Sequence, residues 1–319
     1  MDFVDEYYAD KDLSLLKKLT LIVPTYNRNY YLSRCLWYHA HFPFGEIIVA
    51  DSSPEEKKVV NRETVQKIRE MFGANIQYLE YEPETEKYGG DIYRKWGDAV
   101  QHVETEYSQI VTDKEFLIPT AIHNIIIELS GNPEYIAGYG KEYALTANAD
   151  NTDCFLISRH PKRSSETSDR AEERFDHSLV YIPGFTNSLL LATSNTNVLK
   201  EIYTLYFDHN IQDIRYGEVF LGYAGHIFGK SISIENPTYR IRDETYIRKD
   251  RAEQRGRFWC KSPESSTSRY PTFKEYQKCN VAEKLYQPLE SALQEAFLTK
   301  TELTDKEISQ YLLKRKHTL

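Results

Sequence analysis

No window of the chain reaches the roughly 18 consecutive apolar residues that a membrane-spanning helix requires, so no such helix is expected. Cysteine is scarce. The four residues Cys35, Cys154, Cys260 and Cys279 are far apart and form no C-x-x-C pair. They offer neither a thiolate metal site nor a disulfide frame, and suggest reduced thiols in the cytoplasm. The opening MDFVDEYYADKDL is acidic and has no apolar stretch, so a secretory leader is not expected. The first apolar run is not followed by G-x-G-x-x-G, and no G-K-S or G-K-T phosphate loop is expected. The dinucleotide fingerprint and the phosphate loop are both excluded on that basis. Positive charge is not in excess either: the formal net charge is −8. That balance argues against binding nucleic acid through its phosphates, although residues 248–261 are locally basic. No internal repeat is evident.

What the chain does have is 319 residues with 40% hydrophobic content, enough for a sizeable core and too apolar for a disordered chain. Tyrosine is abundant at 25. Most of these residues are ordinary packing, although tyrosine also suits surfaces that stack on sugars or bases. The most informative stretch is LTLIVPTYNRNYYLSRCLWYHAHFPFGEIIVADSS, Leu19 to Ser53. Two short apolar runs, Leu19–Val23 and Ile47–Ala50, flank a helical pattern over Tyr31–His41, as expected for a βαβ unit in a buried parallel sheet. Ligands of such sheets bind beyond the carboxyl ends of the strands. Thr25-Tyr26-Asn27 and Asp51-Ser52-Ser53 stand at those ends.

Farther along, Ser53-Pro54-Glu55-Glu56 reads as a capped helix start, and Gly73 ends that helix. Ile76–Tyr81 and Ser108–Thr112 are expected strands. Ile92–Val103 and Ile122–Leu129 are expected helices, and Tyr135–Ala144 a strand pair. His160–His177 is almost wholly polar and reads as a loop or lid. Leu189–Ala192 and Ser231–Tyr239 are strand candidates, and Glu218–Ala224 is helical. Val281–Phe297 carries leucines at spacing four ending at Phe297, the pattern of an amphipathic helix. Thr304 and Glu307 form a capping box for a last helix, which ends in Lys314-Arg315-Lys316.

The fourth expected strand ends in Asp113-Lys114-Glu115. Two carboxylates there suit a hard divalent cation shared with substrate phosphates. Taken together, Pro24-Thr25-Tyr26-Asn27-Arg28, Asp51-Ser52-Ser53 and Asp113-Lys114-Glu115-Phe116 resemble the P-T-Y-N-R, D-x-S and D-x-D motifs of family 2-like glycosyltransferases with GT-A fold. The likeness is good over residues 19–130 and loose to about 245. It implies an α/β, Rossmann-like, mostly parallel sheet flanked by helices, with a C-terminal helical extension. The expected layout is an N-terminal arm over 1–18, a GT-A domain over 19–250 and an extension over 251–319. Within the GT-A domain, 19–130 would be the nucleotide-binding half and 131–250 the acceptor half. By this resemblance the donor, a UDP- or GDP-linked sugar, would lie against Pro24, Thr25, Tyr26, Asn27, Arg28, Asp51, Ser52, Lys87, Asp91 and Lys114. Mn²⁺ or Mg²⁺ would bind Asp113 and Glu115, and a glycan or polysaccharide would be the acceptor. An inverting transfer also needs a catalytic base in the second half. Glu218 is the first choice and Asp213 the second. Lys114 departs from the family pattern by placing a fixed cation where an acid is usual.

Each assignment has a plainer rival. Asp51 is also positioned to cap the next helix, Asp113 and Glu115 to sit on a solvated turn, and Glu218 to favour a helix dipole. Arg240 and Arg242 share a strand face, either as a diphosphate clamp or as surface residues. His226 is a late metal-ligand candidate with a structural alternative, and Trp37 and Trp96 read as core. Lys87 and Asp91 flank Gly89-Gly90 in what is otherwise a plain loop. Two other functions compete. A sugar-1-phosphate nucleotidyltransferase would want a glycine-rich loop after the first strand, and a non-catalytic nucleotide-sugar-binding scaffold would bind without turnover. The C-terminal helices are candidates for a homodimer contact or a peripheral membrane contact.

Overall fold

The computed structural model describes residues 3–83, 90–147, 154–158, 164–179, 188–211, 213–235, 237–245 and 280–316. The helices are α1 (Phe3–Tyr8), α2 (Asn29–His39), α3 (Glu55–Phe72), α4 (Gly90–Gln101), α5 (Pro119–Gly131), α6 (Ala171–Leu179), α7 (Thr196–Asp208), α8 (Ile214–Tyr223), α9 (Gly225–Phe228), α10 (Asn280–Lys300) and α11 (Asp305–Arg315). The strands are β1 (Leu19–Thr25), β2 (Glu46–Asp51), β3 (Ile76–Glu80), β4 (Tyr107–Ile110), β5 (Glu115–Leu117), β6 (Tyr135–Gly140), β7 (Glu142–Ala147), β8 (Cys154–Ser158), β9 (Thr193–Asn195), β10 (Lys230–Ile234) and β11 (Arg240–Asp243).

Seven strands form the central sheet in the order β10-β6-β9-β4-β1-β2-β3. Only the short β9 runs antiparallel to its neighbours. Because side chains alternate across a strand, β1 and β2 feed two cores. Ile22, Ile48 and Ala50 face a layer built from α4 and α6–α11, while Leu21, Val23, Ile47 and Val49 face α2, α3 and α5. Burial on both faces explains the unbroken apolar runs. Gly73 closes α3 at φ +63°, a left-handed conformation that glycine adopts without strain.

A second sheet, β5-β11-β7-β8, lies outside the main one. The chain leaves β4, turns through Asp113-Lys114 and enters β5, so this turn joins the two sheets. β11 pairs antiparallel with β5, placing Arg242 opposite Glu115.

Several expectations change. The expected strand pair over Tyr135–Ala144 divides between the two sheets as β6 and β7. The polar stretch before His177 contains α6, whose Ala171, Phe175 and Leu179 reach the core at spacing four. Leu189–Ala192 is turn rather than strand, and the pairing begins at Thr193. Ser53 does not cap α3; its hydroxyl instead accepts the Asn27 N–H at 2.8 Å. Trp96 is buried as expected, but Trp37 is 37% exposed. Leu13 and Leu16, in the stretch read as an arm, are buried in the core.

No described helix is long and apolar enough to cross a membrane. The apolar face of α10 that the sequence offered to a partner or membrane is already used: Leu289, Leu293 and Phe297 are fully buried within the protein. In the basic end of α11, Arg315 pairs with Asp176. Thr304 caps α11 with the full reciprocal box to Glu307. Thr304→Ala should therefore destabilise the protein by about 1 kcal/mol, read as a lowered denaturant midpoint; an unchanged midpoint would show that α11 frays at no cost to the fold.

Candidate functional site

Parallel pairing in register carries the ends of β1 and β2 to one rim, with Thr25 beside Asp51, and β4 delivers Asp113 to the same edge. Thr25 Oγ1 donates to Asp113 Oδ2 at 3.0 Å, and Arg28 Nη1 reaches Asp113 Oδ1 at 3.2 Å. Pro24 and Thr25 are buried, Tyr26 and Arg28 are half-buried, and Asn27 is exposed at φ +54°. Asparagine tolerates that left-handed conformation better than most residues. It lets the turn fold back so that Asn27 N–H meets Ser53.

Asp51 is completely buried. Its Oδ1 accepts from the Ser53 N–H at 2.7 Å, and its Oδ2 from Asn61 Nδ2 at 2.6 Å and Tyr78 Oη at 2.5 Å. The carboxylate thus anchors the loop that carries Ser52 and Ser53. Lys95, which the sequence reading missed, reaches the same rim from α4. It donates to Ser52 Oγ at 2.7 Å and to the Thr25 carbonyl at 3.2 Å. The signal was a lysine on the apolar stripe of α4, between Ile92 and Ala99. Lys87 lies outside the described residues. Asp91 is on α4, and its side chain is not described.

The two acids of Asp113-Lys114-Glu115 face different partners. Burial raises the pKa of Asp113, with Arg28 and Thr25 opposing that rise. Glu115 is fully buried and turned into the second sheet. Its Oε2 accepts from the Thr112 N–H at 3.1 Å and lies 3.5 Å from Arg240 Nη1, and its Oε1 is 3.9 Å from Arg242 Nη1. Arg240 also pairs with Glu142 at 2.7 Å. Burial works against the Arg240 guanidinium, but Glu115 and Glu142 more than offset it and its pKa is raised. Arg240 is therefore committed to the interior rather than to a ligand.

A two-carboxylate metal site does not fit these residues. A divalent cation would have to displace guanidinium groups from both acids. Among the described residues, no group of three or more His, Cys, Asp or Glu side chains could hold a metal. His226 is buried on α9. Lys114 is 9% exposed, and burial, with Arg242 and Arg28 adding to it, lowers its pKa to about 8. It remains an ammonium at neutral pH.

A G-K-S sequence does occur, at Gly229-Lys230-Ser231, contrary to expectation, but it is not a phosphate cradle. It follows the short α9 and leads into β10, and Lys230 pairs with Glu134 at 2.8 Å and Asp169 at 2.7 Å.

The helix that carries the candidate bases starts earlier than expected, at Ile214. Asp213 precedes α8, and its Oδ1 accepts the Tyr216 N–H at 3.2 Å. Glu218 lies on the second turn rather than at the helix start, so a first-turn dipole benefit does not apply. It packs near Tyr93 of α4, and burial raises its pKa. Gly217 is required at that approach, because a Cβ there would come within 2.8 Å of Tyr93.

No family profile matches the sequence, and no curated protein matches it. Solved structures do. S. aureus TarS 1–349 in complex with UDP is similar over 94% of this chain and 72% of that one, with TM-score 0.53 and 15% identity. The complex of the same protein with UDP-GlcNAc covers 93% and 70%, with TM-score 0.52 and 14% identity. The fold is GT-A-like. At these identities the likeness concerns the fold alone.

Proposed function

We propose that this protein is a family 2-like glycosyltransferase that moves a sugar from a UDP- or GDP-linked donor to a glycan or polysaccharide acceptor with inversion. The observation that carries this reading is the rim itself. Thr25, Arg28, Asp113, Ser52 and Lys95 come from three strand ends and one helix and are joined by direct hydrogen bonds. That is where an open α/β sheet binds its ligand, and the similar TarS structures are complexes with UDP and UDP-GlcNAc. Residues 19–130 would hold the nucleotide and 131–250 the acceptor.

In the transfer, the bond from the anomeric carbon to the diphosphate oxygen breaks and its electron pair stays on phosphate. The acceptor oxygen bonds to the carbon from the opposite face. Its proton passes to a carboxylate, for which Glu218 is the candidate: it is half-buried, desolvation raises its pKa, and it has no hydrogen-bond partner among the described residues. Asp213 is the second candidate, although its carboxylate is occupied as a cap. Arg28 and the β1 turn orient the donor, and Asp51 positions the Ser52-Ser53 loop.

Asp51→Ala should accordingly weaken nucleoside diphosphate binding. The effect is indirect, because the described hydrogen bonds of Asp51 go to Ser53, Asn61 and Tyr78 and hold the Ser52-Ser53 loop. Calorimetric titration of UDP and GDP tests this; an affinity equal to wild type would reduce Asp51 to an anchor of the fold.

A further inference from the structure

Asp113 and Glu115 stand in the positions of the metal-binding pair, but Asp113 accepts from Thr25 and Arg28, and Glu115 is closed off against Arg240 and Arg242. Lys114, between them, is the opposite case. It is nearly buried, and no hydrogen bond or ion pair ties its ammonium to a described residue. Its backbone is held firmly: Glu115 N–H donates to the Thr112 carbonyl at 2.9 Å, and Asp243 N–H to the Lys114 carbonyl at 2.8 Å. Asp243 is in turn held by Arg34 at 2.5 Å. A nearly buried cation with no direct partner among the described residues is costly; Arg242 and Arg28 add charge of the same sign, and Glu115 and Asp113 oppose them more weakly. Such a position suits an arriving anion and repels a divalent cation.

We propose that Lys114, with Arg28 beside it, supplies the positive charge that holds the donor diphosphate and stabilises it as it leaves, so that this protein binds its nucleotide sugar without a divalent metal. The proposal rests on the donor-site reading above. When the glycosidic carbon–oxygen bond breaks, the diphosphate gains one negative charge, and the ammonium pairs with it where a metal would otherwise do so. The acceptor proton goes to the base, so the step balances with no further reactant.

The test is titration of UDP, GDP and the phosphate-free uridine and guanosine into wild type, Lys114→Met and Lys114→Arg, each in EDTA and in Mn²⁺. Affinity for the preferred diphosphate should be equal in EDTA and Mn²⁺. Lys114→Met should weaken it about ten- to a hundredfold while leaving the nucleoside unchanged, and Lys114→Arg should retain most of it. Loss of diphosphate binding on chelation, or wild-type affinity in Lys114→Met, overturns the proposal and leaves the donor-site reading standing. Failure of wild type to bind any of the four ligands overturns both. If Lys114→Met does not fold, the wild-type chelation arm and Lys114→Arg decide.

Discussion

Glu218→Gln should retain nucleoside diphosphate binding and lose sugar transfer by about 10²–10⁴-fold, the usual cost of removing a general base. The amide preserves shape but cannot take the acceptor proton. Burial raises the Glu218 pKa, which makes the ionised carboxylate a stronger base and also sets the pH response. A general base acts when deprotonated, so with Glu218 in that role transfer should rise with pH through a midpoint above the ordinary glutamate value. Stability should respond in the opposite direction. A carboxyl whose folded pKa is raised favours the fold at low pH and loses that contribution as pH rises through the folded value. Glu218→Gln should therefore be no less stable than wild type at neutral pH. A variant with lost transfer and a lower melting temperature would indicate a packing role instead. If Asp213→Asn abolished transfer with its fold intact while Glu218→Gln remained active, the assignment would exchange.

Arg240→Met should destabilise the protein by about 3–5 kcal/mol, the range for removing one member of a buried ion-pair group. Its guanidinium lies between Glu115 and Glu142, at 3.5 and 2.7 Å, with both acids almost wholly buried. Without it, two carboxylates share the interior of the second sheet. Denaturant unfolding reads the loss directly. Adding Glu115→Gln and Glu142→Gln should recover much of it, because the uncompensated charges are then gone. Recovery would also support reading Glu115 as structural rather than as half of a metal site. A near-neutral Arg240→Met would mean that water or Arg242 already neutralises both acids.

The two sides of the rim formed by β1, β2 and β4 differ in how legible they were. β1 and β2 are buried on both faces, so their apolar runs stand out and the polar residues ending them could be placed on one rim. The capping box at Thr304 is a local contact three residues long, and it was equally visible. The orientation of Glu115 was not, because it depends on β5 pairing with β11 more than 120 residues away. Nothing near Asp113-Lys114-Glu115 distinguishes a carboxylate facing a ligand from one facing Arg240. α6 was hidden for a different reason. Its apolar residues are only Ala171, Phe175 and Leu179 within a polar stretch, and Arg174 is buried because it donates to the carbonyls of Ser168, Asp169, His226 and Ile227. Lys95 fits the same pattern: a charge on an apolar stripe reads as an exception until the carbonyl and hydroxyl that receive it are seen.

The activity proposed for the rim of β1, β2 and β4 is to bind a nucleotide sugar for transfer. Its most direct test is release of nucleoside diphosphate from UDP- and GDP-linked sugars by the purified protein, with water as the acceptor. That reaction needs the donor site but not the natural acceptor. Wild type should release UDP or GDP slowly from at least one donor, with a marked loss in Lys114→Met. Tight binding of a nucleotide sugar with no release from any donor, with or without added glycans, would contradict it and identify a scaffold rather than an enzyme.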